Sequence, residues 1–144
     1  MADSTTEIYF TIPGKVVPKQ STRFYNGHCV PQERVKDYAN KVKAVYMAEY
    51  PYQKIVWANK EPLEAVVNIY MAVPKHTSKK KKDHMIVYER PCKIPDVDNC
   101  GKSVLDALKG IVFADDCHIV SLTVSKYWSE DDSVEVLIRE WKKG

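Results

Sequence analysis

The chain has 144 residues, 44% hydrophobic and 28% charged, which fits one soluble globular domain over residues 1–144 and leaves little room for a second. No apolar run approaches the ~18–20 residues of a membrane span, and residues 1–6 lack the apolar core of a signal peptide, so a cytoplasmic protein with no membrane partner is expected. A net charge of +3 is too small to argue for a nucleic-acid partner by itself; the local distribution has to carry that argument.

Glu7 to Ile12 alternates, with Ile8, Phe10 and Ile12 on one side, and predicts a short strand that Pro13-Gly14 ends. A polar loop follows, carrying Lys15, Lys19, Arg23, Phe24 and Tyr25. From Glu33 to about Tyr50, Val35, Tyr38, Val42, Val45 and Tyr46 recur at three- and four-residue steps, which predicts a helix stopped by Pro51. Leu63 to Val73 is the clearest strand. Its second face is only partly polar, so it is expected to be central and covered on both faces. Pro74 opens a polar connection of about twenty residues to Pro95, longer than compact domains usually hold without a function or disorder.

Asp98 to Lys109 reads as a helix, with Asp98 as N-cap, Val104, Leu105 and Leu108 as its apolar stripe, and Gly110 as the left-handed residue after its end. After the turn at Ala114-Asp115-Asp116, two strands, His118 to Lys126 and Val134 to Trp141, are joined by an acidic turn and are expected to pair as a hairpin. The order strand, helix, strand, helix, strand, strand predicts an α+β, or mixed α/β, fold. The four cysteines, Cys29, Cys92, Cys100 and Cys117, have no close pairing. Free thiols are therefore preferred over a zinc site built from Cys92, Cys100, Cys117 and His118.

The chemistry concentrates between residues 93 and 116. In an extended stretch, residues two apart point the same way, so Asp96 and Asp98 can present their carboxylates side by side. Two like charges held that close repel, and a divalent cation removes the repulsion; Mg²⁺ prefers carboxylate oxygens and water. Lys102 and Asp106 lie four and eight residues beyond Asp98 on one helix face, where the lysine can meet a phosphate oxygen. Asp115 and Asp116 return at the mouth of the next strand and are expected to complete the metal cluster. Taken singly, each aspartate suits a cap or a turn. Together with one lysine they bracket a single short helix.

These residues resemble the RusA family of Holliday-junction resolvases. The likeness runs through Asp96-Val97-Asp98-Asn99, Lys102, Asp106-Ala107-Leu108, Asp115-Asp116 and Lys126, and through an opening strand and basic loop, Phe10 to Lys15 with Pro18-Lys19 and Arg23. It implies a single mixed sheet of about four strands with two main helices packed on it. It also implies a homodimeric endonuclease that resolves four-way DNA junctions by paired Mg²⁺-dependent nicks, in DNA recombination and repair. By position, Asp96, Asp98 and Asp116 match the family's essential acidic residues, with Asp115 adjacent, and Lys102 matches its essential lysine. The chain departs from the pattern at Cys100, where an aliphatic residue is usual. Gly101 follows, and glycine there weakens a helical turn by about 1 kcal/mol relative to alanine.

The run Lys79, Lys80, Lys81 and Lys82, with Lys19 and Arg23, is the expected DNA-binding set, since an anionic substrate must be drawn past the aspartates. Two symmetric nicks need two active sites, so a two-fold dimer is the economical assembly. Two other readings fit the same residues: a branched-DNA-binding protein without catalysis, and a Mg²⁺-dependent hydrolase of small phosphate esters. The second lacks a glycine-rich phosphate loop.

Overall fold

A computed structural model describes residues 6–19, 24–25, 28–29, 33–51 and 54–143. Its elements in chain order are β1 (Glu7–Pro13), β2 (Phe24–Tyr25), β3 (His28–Cys29), α1 (Glu33–Glu49), β4 (Leu63–Ala72), α2 (Lys79–Tyr88), α3 (Val97–Leu108), β5 (Ile119–Ser129) and β6 (Ser133–Glu140). The main sheet has the order β1-β6-β4-β5; β4 pairs antiparallel with β6 and parallel with β5. The fold is α+β with one mixed four-stranded sheet, as expected, and three helices among the described residues rather than two.

The period-two pattern of the strands places the core. Ile8, Phe10 and Ile12 of β1, Leu63, Ala65, Val67 and Ile69 of β4, and Val134, Val136 and Ile138 of β6 all turn to one face and are buried. Tyr38, Val42 and Tyr46 of α1 and Val104, Leu105 and Leu108 of α3 cover that face. Phe10 meets the Tyr46 ring edge-on, with centroids 5.6 Å apart. The opposite face of β4 is only half-buried, so the expectation of full cover on both sides is corrected. There a polar set closes on itself. Glu135 accepts hydrogen bonds from Tyr9 Oη, from Asn68 Nδ2 at 2.9 Å and from Tyr70 Oη at 3.2 Å.

Three further expectations are corrected. β5 and β6 do not form a hairpin, because β4 lies between them. The acidic turn instead arches over the end of β4: Val73 N–H donates to Ser129 O, and Ala72 N–H donates to the Asp132 carboxylate at 3.0 Å. The polar connection after Pro74 contains a helix, α2, whose first amides are capped by the Ser78 hydroxyl accepting from Lys81 N–H at 3.3 Å. Within α2 only Met85 is buried, so the segment has almost no apolar stripe to betray it. Finally, the N-cap of α3 lies two residues earlier than expected. Asp96, not Asp98, occupies the N-cap position, and its side chain makes no capping bond. Gly110 has φ of 82°, the left-handed conformation expected after the helix.

Gly101 has a packing reason. It is buried where α3 crosses β5, and a Cβ there would stand 2.8 Å from Val124 Cγ2 and 3.6 Å from Leu122 Cδ2. The departure from helix propensity at this position lets the start of α3 lie close on the sheet.

Candidate active site

The start of α3 is held from β5. Lys126 lies in register with Ile69 of β4, and its ammonium donates to the carbonyls of Lys93 at 2.6 Å and Pro95 at 3.1 Å. This clamp fixes the loop that delivers Asp96. Asp96 and Asp98 are both exposed, and Asp98 sits in the first turn, where a negative charge suits the helix dipole. Both carboxylates and the Lys126 ammonium act electrostatically on the buried Cys100. Burial pushes that thiol up to about 11, the Lys126 charge opposes the shift, and Asp96 and Asp98 add to it. Sequence reasoning had Lys126 only as part of a family pattern; its grip on two carbonyls needed coordinates.

Lys102 is exposed one turn beyond Asp98. Asp106, a further turn on, pairs with the ammonium of Lys19, while Lys19 N–H donates to Asn99 O at 3.0 Å. Lys19 thus staples the loop after β1 along α3, and its charge is partly spent on that task.

At the other end of α3, Asp115 opens a short 3₁₀ turn, Asp116–His118, with its carboxylate accepting from Cys117 N–H at 3.2 Å. Lys109 Nζ stands 3.8 Å from Asp115 and 4.0 Å from Asp116. The Asp116 side chain first, then the Cys117 amide and the Lys109 charge, holds the Asp115 carboxyl below the usual range.

Two acidic pairs therefore flank α3, Asp96 with Asp98 and Asp115 with Asp116. The helix from Asp98 to Leu108 sets roughly 15 Å of axis between the two ends. Among the described residues no three His, Cys, Asp or Glu side chains gather in one place to hold a metal. Within one chain Asp115 and Asp116 lie together, and the two pairs do not meet at one point. The donor chemistry of Asp96 and Asp98 still fits Mg²⁺, which is held by one or two carboxylates with water and substrate phosphate filling the other positions.

Cations lie beside this end of α3. A cavity of about 540 Å³ opens where the end of β4, residues 15–18 and residues 93–95 meet, and Lys15, Arg34, Lys75 and Lys93 line it. These four come from separate segments and formed no visible pattern in the sequence. Of the expected DNA-binding set, Lys79, Lys80 and Lys81 are exposed on α2, whereas Lys82 pairs with Glu130 at 2.5 Å. Arg23 lies outside the described residues.

Two exposed carboxylates at a clamped helix start, with lysines nearby, suit a divalent cation beside an anionic ligand. The profile described as Endodeoxyribonuclease RusA matches residues 13–139. The chain is also 35% identical over 141 residues to YqaN of Bacillus subtilis (strain 168), a protein described only as uncharacterized, covering 92% of this chain and 96% of the relative. The chain belongs to the RusA endodeoxyribonuclease family.

Proposed function

We propose that this protein is a divalent-metal-dependent endonuclease that resolves four-way and related branched DNA by paired nicks. The observation that carries the reading is the presentation of Asp96 and Asp98. Both are exposed, Asp96 is free of capping duty, and the loop between Lys93 and Pro95 is pinned by Lys126. Asp96 and Asp98 would hold Mg²⁺, which supplies positive charge for the phosphoryl oxygens during hydrolysis.

The chain's own residues do the rest. Lys102, one turn along the same helix, offers its ammonium to the scissile phosphate as negative charge builds. Lys126 acts as a positioning residue, because its three donors are engaged at least twice by backbone carbonyls. The exposed lysines of α2 and the cations around the cavity bind backbone phosphates and draw the DNA past the acidic pairs.

Paired nicks call for two copies, and the β5 edge is the face assigned to the second one. β5 is the outer strand of the sheet; Val120 and Leu122 on it are exposed, Leu122 beside Gly101 of α3, as is Val97 at the start of α3. A two-fold axis through Val120 and Leu122 lays the two α3 helices antiparallel, side by side. The start of one then meets the end of the other. Asp96 and Asp98 of one copy come beside Asp115, Asp116 and Lys109 of the second, so the acidic set is completed between chains, and a divalent cation would offset the repulsion among the four carboxylates.

The direct test is cleavage of four-way, forked and linear DNA with and without Mg²⁺. Paired nicks in the four-way substrate that need Mg²⁺ and disappear in Asp98→Asn support the reading. Activity on free nucleotides but not on branched DNA overturns it.

A further inference from the structure

The cavity beside the acidic pair has a composition that backbone phosphates alone do not explain. Its floor is apolar, built from Val16, Pro18, Met71, Val73, Ile94 and Pro95. Among the described residues its rim carries four cations, Lys15, Arg34, Lys75 and Lys93, against one carboxylate, Asp132, which is engaged by Ala72 N–H at 3.0 Å. None of those four cations pairs with a carboxylate among the described residues. Lys93 is steadied over the Trp128 ring, its ammonium 5.5 Å from the centroid. At about 540 Å³ the cavity falls in the range of ~300–1,000 Å³ that takes small organic ligands.

A phosphate on this rim would leave the floor wet and empty. A duplex cannot fill the floor either, because its bases are stacked inside the helix and present only phosphate and sugar to a concave surface. One unit of DNA satisfies both halves: a single unstacked nucleotide, its base on the apolar floor and its phosphate on the rim cations. Such a base is cheap to extrude where pairing is already interrupted and costly within a continuous duplex. The wall at Pro95 is one residue from Asp96, so the extruded nucleotide would lie next to the scissile phosphate.

We infer that this cavity receives one unstacked nucleotide from the branch point, and that it thereby discriminates branched from linear DNA. The inference rests on the branched-DNA reading above.

Binding in EDTA separates the two claims, since it needs no cleavage. Junctions carrying 2-aminopurine at single positions should show a rise in fluorescence on binding at one branch-point position and none within the arms. Ile94 is 82% exposed, so Ile94→Asp should fold normally while setting a carboxylate over the floor. That variant should bind the junction about tenfold more weakly and linear duplex within about twofold of the unaltered protein. An equal loss on junction and duplex, no change for either, or no fluorescence rise at any branch-point position overturns the inference. If the unaltered protein shows no preference for the junction at all, it is the branched-DNA reading that fails.

Discussion

Lys126 reaches across from β5 to the carbonyl of Pro95, at 3.1 Å, and so ties the outer strand of the sheet to the residue before Asp96. A second bond from the same ammonium, to Lys93 O at 2.6 Å, makes the tie a clamp. Lys126→Met keeps the length of the side chain and removes both bonds. Charge-assisted bonds of this kind contribute about 1–3 kcal/mol, and the variant should lose stability in that range. Its cleavage rate should fall much further than its affinity for junction DNA, because the loop that carries Asp96 is no longer held. Thermal melting, gel-shift affinity and cleavage rates measured on one preparation check this. Equal losses in affinity and rate would mean that Lys126 contacts the DNA itself.

Gly101→Ala sets two effects against each other. Alanine gains about 1 kcal/mol of helix propensity, while its Cβ would stand 2.8 Å from Val124 Cγ2, a stiff β-branched neighbour. Overpacking of that kind costs about 1–3 kcal/mol, so the net effect should be destabilising by about 1 kcal/mol. Val124→Ala removes the obstructing methyl. In the double variant the Gly101→Ala change should turn neutral or stabilising, and a double-mutant cycle by denaturant unfolding reads the coupling.

Cys100 should be inert in the folded protein. It is fully buried, and burial raises its thiol to about 11, so almost none is thiolate near neutral pH. Cys92 and Cys117 are exposed. Alkylation at pH 7.5 followed by mass mapping should label Cys92 and Cys117, and label Cys100 only after denaturation.

The open face of the sheet predicts an acid-sensitive contribution to stability. Glu135 is held below its ordinary value of 4.5, by the Tyr9 hydroxyl first and then by Asn68. A carboxylate lowered in this way stabilises the fold above pH 4.5, and that contribution is lost as pH falls through its folded value. Glu135→Gln should therefore melt lower than the unaltered protein at pH 7. The two melting curves should converge as pH drops below about 4.5, the limb where Glu135 takes up its proton.

Much of this fold was legible in the residues, and the failures have physical causes. β1, α1 and β4 follow their apolar periodicities because each presents a face to one core. The lysine-rich α2 escaped notice because it buries only Met85 and owes its start to the Ser78 cap. The acidic turn 130–132 announces a reversal, but local turn chemistry cannot say that β4 is inserted between the strands it joins. At the candidate site, spacing called for an extended Asp96-Val97-Asp98 stretch, whereas α3 begins at Val97 and places Asp98 in its first turn. The position of Asp115 and Asp116 after α3, at the mouth of the next strand, was legible; their separation from Asp96 and Asp98 comes from the length of the helix between them. The cavity cations are separated by up to 78 positions, from Lys15 to Lys93, and only folding gathers them.

The most direct measurement uses dimers mixed from two inactive parents, Asp98→Asn and Asp116→Asn, assayed on a four-way junction with Mg²⁺. With each site drawn from both chains, a mixed dimer contains one doubly altered site and one unaltered site. It should nick a single strand, while either parent alone nicks none and the unaltered protein nicks two. A mixed dimer as silent as its parents, beside an active unaltered protein, would contradict the shared site; an unaltered protein that never nicks the junction would contradict the nuclease itself.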